Sequence, residues 1–234
     1  MPVAGDAGFC YLCRHVGPLI QQVSVWALPV LAAIILHEIA HGMVANRLGD
    51  PTAARMGRLT LNPLPHIDPI GTVLLPLMLV VAHAPFLFGY ARPVPVNFAN
   101  LRNPKRDMVL VAAAGPLTNL ILAVISALFF KQLLQLRLPA EGAFAGLLVA
   151  VLTPLALMAQ NSVVINVVLA VFNLLPILPL DGGRVLAGLL PRAQAIAFAR
   201  LEPFGFMIVI ALMATNVLNS VIGPVIGLFL HALL

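Results

Sequence analysis

Long apolar runs separated by short polar loops set the plan of this chain. The runs cover residues 17–47, 70–88, 107–130, 142–178 and 203–234. A membrane-spanning helix needs about 20 apolar residues, and the first and third runs each supply one. The first, softened by Pro18 and Pro29, ends at Gly49 and Pro51, which close a helix. Residues 52–69 read as a loop with a short extended piece at Arg58–Leu61, because Pro63, Pro65 and Pro69 exclude a helix there. The run 70–88 is interrupted by Pro76 and Pro85 and reads either as a full span or as a re-entrant loop. The run 142–178 is too long for one straight helix, and Pro154 with Gln160–Asn161 divides it. Residues 179–202 form a weakly amphipathic, basic piece. In 203–234 the expected break lies at Asn219–Ser220 and Gly223–Pro224. The fold class is therefore an all-α polytopic membrane protein, a bundle of about 4–6 transmembrane segments. A short β or re-entrant element is expected after the first helix. No repeat, linker or inserted soluble domain breaks the pattern, so residues 1–234 read as one integral-membrane domain.

Composition supports this. Hydrophobic residues make up 61% and charged residues 9%, against about 25% charged in soluble domains; mean hydropathy is +1.04. A net charge of +5 does not indicate nucleic acid, because the basic residues sit in short loops without aromatic stacking partners. It fits positive-inside orientation and contact with anionic lipid. Cys10 and Cys13 form one C-x-x-C with His15 behind it. Without a second half it makes no zinc ribbon, leaving ordinary thiols, a redox pair or a second metal site. The first sixteen residues lack the basic and apolar regions of a signal peptide, so the first span is expected to act as the insertion signal.

Chemistry enters inside the first run, at Leu36-His37-Glu38-Ile39-Ala40-His41-Gly42. Histidines at i and i+4 lie one turn apart on one helix face and can reach one metal ion. Glu38 lies about 100° round the helix from His37, where it can take a proton from a water beside the metal. This is the H-E-x-x-H pattern of zinc hydrolases, and ionisable groups inside a span mark function by default. Two histidines leave a catalytic zinc one protein ligand short. Asp181, in Asn173-Leu174-Leu175-Pro176-Ile177-Leu178-Pro179-Leu180-Asp181-Gly182-Gly183, is the candidate. Pro176 and Pro179 unwind the end of an apolar helix, and Gly182 and Gly183 permit a tight turn. Spacing alone leaves open that Asp181 merely caps the next helix.

HEIAHG on an early span, GPLTN on a middle one and NLLPILPLDGGR on a later one together resemble the site-2 protease family of intramembrane zinc metalloproteases. The resemblance covers roughly residues 20–190. The lack of room for a PDZ or CBS domain, with HIDPIGT and ARPVPVN, is similar to the family's compact subgroup. It implies a three-helix core around one Zn2+ per chain, near the cytoplasmic side of the cell's inner membrane. It also implies that His37, His41 and Asp181 bind the zinc, with Glu38 as general base. Asn173 would support the substrate or the reacting carbonyl, and Asn119 would contribute to packing or to the same polar cluster. The implied substrate is a membrane-spanning protein, cut within or near the bilayer. The oligomeric state is not implied.

If both halves of the site share one depth, the helices leading to His41 and Asp181 run the same way. The simplest solution takes 107–130 as one crossing, a return within 142–178 as the other, and 70–88 as re-entrant. Loops 47–69 and 89–106, which together carry seven Lys/Arg, then share the cytoplasmic side. Among other polar residues, His66 is expected in an exposed loop or at an interface, and His83 and His231 at interfaces. The scattered methionines suit packing rather than copper. Two rival readings are a membrane metal-ion transporter, which needs successive sites across the bilayer, and an inactive scaffold of the same family.

Overall fold

The computed structural model describes residues 6–83, 89–136 and 143–234, with side chains for 23–79, 81–83, 89–136 and 145–234. The side chains of Cys10, Cys13 and His15 lie outside the described residues. Three helices dominate: α1 (Asp6–Leu48), α4 (Pro104–Gln135) and α5 (Ala143–Asn173). Between α1 and α4 lie the one-turn α2 (Thr52–Arg55) and the short α3 (Leu75–Val81). Four further helices follow α5: α6 (Asp181–Leu189), α7 (Arg192–Ala199), α8 (Glu202–Ala214) and α9 (Val217–Leu233). Among the described residues three stretches are long and apolar enough to cross a membrane: Val23–Leu48, Pro104–Gln135 and Ala145–Asn173. A fourth crossing results if α7 and α8, bent by 64° to one another, form one span. The protein is a helical polytopic membrane bundle, and among the described residues its spans reach the lower end of the expectation only if that bent pair crosses as one.

Cross-helix bonds set the directions. His37 meets Asn119 while His41 meets Val111, so α1 and α4 are antiparallel. Asn119 bonds Asn166 and Ser126 bonds Ser162, so α4 and α5 are antiparallel too. Asn161 donates to the Val25 carbonyl near the start of the first span, and the chain leaving α5 reaches His41 near its end. Helices α1 and α5 are therefore parallel. Small residues make the contact between α4 and α5 close: Ala123 and Ala127 pack on Val163 and Val167, with Ile226 and Phe229 of α9 covering the cluster. Without a hydrophobic drive in lipid, such close packing and cross-helix bonds hold a bundle together.

The loops on either side of residues 70–88 lie together. Asp50 is fully buried and accepts from the Asn97 amide at 2.7 Å, from Asn100 Nδ2 at 2.9 Å and from Thr52. Arg102 N–H donates to the Leu48 carbonyl at the end of α1. The apolar helix between these loops, Pro69–Leu79, rises only about 17 Å, too short for a bilayer core of about 30 Å.

Four expectations are corrected. Helix α5 is continuous through Pro154 and Gln160–Asn161, because Asn161 bridges to α1 instead of competing for its own helix backbone and membrane helices tolerate proline. Helix α9 runs through Asn219–Ser220 and Gly223–Pro224, and the break falls at Asn216 with φ 58, a left-handed conformation that asparagine tolerates. No strand occurs among the described residues; around Arg58–Leu61 a side chain takes over the bonding, since Arg58 donates to the carbonyls of Arg92 and Pro93. His66 is 3% exposed, held by its bond to the Thr60 carbonyl. His83 and His231 are exposed.

Candidate metal centre

Helix α1 carries His37 and His41 on its buried face, with ring centroids 4.6 Å apart. The remaining polar bonds fix the state of both rings. His41 Nδ1–H donates to the Val111 carbonyl at 2.7 Å. His37 Nδ1 pairs with Asn119 Oδ1. That Asn119 atom is an acceptor, because Nδ2 of the same amide donates to Asn166 Oδ1 at 2.7 Å and to the Ala33 carbonyl at 3.3 Å. Both imidazoles thus hold their proton on Nδ1, and both Nε2 atoms present lone pairs, 3.0 Å from one another.

Asp181 completes the group. Its Oδ2 lies 3.1 Å from His37 Nε2 and 3.3 Å from His41 Nε2, and has no hydrogen-bond donor of its own. Three acceptors converge within 4.8 Å of one another, mostly out of water. Such a set is repulsive unless a cation sits among it. The donors, two neutral imidazoles and one carboxylate, suit a catalytic zinc with one position left open. Asparagine and carbonyl partners behind the rings are the usual means of aiming metal-binding histidines.

Asp181 makes no capping bond at the start of α6. Leu180 occupies the cap position of α6, no side chain caps the helix, and Asp181 is its first residue. The two glycines after it also act differently from expectation. Both are helical, and what they permit is contact. A Cβ on Gly182 would lie 2.2 Å from the Leu174 carbonyl oxygen, and one on Gly183 would lie 2.5 Å from the Ile177 carbonyl carbon. The start of α6 therefore packs directly on the backbone leaving α5, which sets the depth of Asp181. Gly115 does the same job on α4. Its Cβ would stand 2.4 Å from His41 Nε2 and 2.6 Å from His37 Nε2. In GPLTN the glycine makes room for both rings, and Asn119, one turn on along the same face, bonds one of them.

Glu38 is half-buried, and its Oε2 accepts from the Val94 N–H at 2.7 Å. Val94 lies in an irregular stretch between Pro93 and Pro95. That stretch is held from outside by Arg58 Nη2, which donates to the Arg92 carbonyl at 2.9 Å and the Pro93 carbonyl at 3.3 Å. Arg92 N–H in turn donates to the His66 carbonyl. Val94 also packs against Gly42 of α1. Sequence reasoning missed Arg58 and Val94; a proline-flanked residue in a basic loop was the signal available. Asn173 ends α5 with its amide donating to the Leu169 carbonyl at 3.0 Å, and no described hydrogen bond joins it to the trio.

Comparison with known proteins places relatives beside this chain. The profile of "Peptidase family M50" matches residues 147–215. YwhC of Bacillus subtilis is 38% identical over 198 residues, which cover 85% of this chain and 84% of that protein. Rip2 of Mycolicibacterium smegmatis is 31% identical over 206 residues, covering 88% and 71%. Rip2 of Mycobacterium tuberculosis is 30% identical over 207 residues, with the same coverage. The names of all three propose zinc metalloproteases. No solved structure matches the chain.

Proposed function

This chain belongs to peptidase family M50 as a zinc metalloendopeptidase of the site-2 type, and from that premise we propose that it cuts membrane-spanning proteins within or near the bilayer. In this reading His37, His41 and Asp181 hold the zinc and Glu38 is the base. The observation that carries it is the meeting of two Nε2 lone pairs from the first span with the carboxylate of Asp181, far along the chain.

The metal, when bound, supplies Lewis acidity toward the scissile carbonyl and the attacking water. The chain's own groups do the rest. Glu38 accepts the water's proton and later delivers it to the leaving amine. The Val94 N–H fixes the rotamer of that carboxylate. Asn119 and the Val111 carbonyl keep both imidazoles in the tautomer that leaves Nε2 free. Asn173 supports the reacting carbonyl, exchanging its bond to Leu169 for one to substrate. A helical substrate must unwind locally, since its carbonyls are otherwise bonded within the helix. The seven Lys/Arg of the loops at 47–69 and 89–106 support a cytoplasmic position for this end of the bundle in an inner membrane. Residues 1–234 act as one domain.

A transporter would need further ligand groups along its path; among the described residues the trio is the one such group of three. The test is Glu38→Gln, with zinc content measured beside cleavage of a model transmembrane substrate. The variant is expected to keep its zinc and lose turnover by at least about a hundredfold. Near-normal turnover would remove Glu38 from the role of base, whereas no cleavage by the wild type would reopen the inactive-scaffold reading.

A further inference from the structure

We propose that a cavity of about 600 Å³ between the start of α4, α6 and α7 holds an anionic phospholipid, with its headgroup on Lys105 and Arg192. The cavity is apart from the metal centre, and its occupant does not depend on the protease reading. Its walls are mainly apolar, with Met108 and Leu178 among them, and four charged residues complete the lining. Two of those are already matched to each other, Arg184 Nη2 lying 3.9 Å from Glu202 Oε1. Lys105 and Arg192 have no ion-pair partner among the described residues, so the cavity carries two uncompensated positive charges beside apolar walls.

The position selects a lipid. Lys105 is the second residue of α4, whose whole length forms a candidate span. The cavity therefore opens at the end of that span, where headgroups lie. Basic pockets between helices at this depth bind acidic headgroups. Apolar walls of this extent need an acyl chain to cover them, which a free phosphate lacks. Helix α6 contributes Arg184 to the lining and begins at Asp181, so an occupant also braces the helix that presents the third carboxylate.

The test uses the full chain purified in detergent and offered dioleoylphosphatidylglycerol or dioleoylphosphatidylcholine, with retained lipid counted by native mass spectrometry. The wild type is expected to retain the anionic lipid on the order of tenfold better than the zwitterionic one. Combined Lys105→Gln and Arg192→Gln, both at exposed positions, should abolish that preference. Lys131→Ala, near the other end of α4, should preserve it. Equal retention of the two lipids by the wild type would overturn the proposal. So would an unchanged preference in the double variant, or loss of phosphatidylglycerol to millimolar inorganic phosphate, which would mark a free-anion site. The wild-type arms decide even if the double variant folds poorly.

Discussion

At the scale of single residues, the three converging acceptors decide what each substitution does. Asp181→Asn removes the one negative charge while keeping size and shape. A neutral amide neither offsets a dication nor binds it well, so zinc and activity are expected to fall together. A helix cap would tolerate the same change, since asparagine caps about as well as aspartate. Zinc stoichiometry and cleavage, measured on the same folded sample, distinguish the two; full occupancy with full activity would strike Asp181 from the ligand set. The two histidines were legible in sequence because one helix carries both, and helical period alone puts them on one face. The partners of their Nδ1 atoms were not legible. Asn119 and the Val111 carbonyl belong to another helix, and only its register against α1 brings them to the rings.

At the scale of elements, two loops act as fixtures on the end of α1. Residues 91–97 hold Glu38 through one backbone N–H, and Val94→Pro deletes that donor beside prolines that already restrict the backbone. Turnover is expected to fall about 10- to 100-fold, the value of one hydrogen bond to a charged group, with zinc content and KM unchanged. Val94→Ala keeps the N–H and serves as the control; equal losses in both variants would assign the effect to packing. Asp50 is the other fixture. Burial raises its pKa, but bonds from Thr52, Asn100 and the Asn97 amide outweigh that and hold the carboxyl below its ordinary value. A depressed folded pKa gives stability that is complete above the unfolded value of about 3.9 and is lost as pH falls through the folded one. The apparent Tm should therefore drop on acidification below about pH 4, and less steeply in Asp50→Asn. An identical acid limb in that variant would free Asp50 of this role.

At the scale of the whole molecule, the two loops flanking residues 70–88 are joined through Asp50, so they occupy one side of the bundle. Single cysteines at Ala54 and Ala99, both exposed, in a background lacking Cys10 and Cys13, should react with an impermeant thiol reagent from the same side. Labelling from opposite sides would make 70–88 a true crossing and overturn this topology. The apolar runs alone determined that the chain is a helical membrane bundle, because hydrocarbon admits only segments that satisfy their own backbone. The periodicity of HEIAHG alone placed two imidazoles and a carboxylate on one early helix. Residues 142–178 and 203–234 were divided at the wrong points, because polar residues that look like breaks can bond to a neighbouring helix, as Asn161 does to Val25. The position of Asp181 was not legible, because it depends on the turn after α5 folding against Gly182 and Gly183. Local sequence sets which segments are helices and what chemistry each face carries. Depth, register and approach distance arise between segments far apart in the chain, and they decided that Asp181 meets the two histidines while the Val94 N–H meets Glu38.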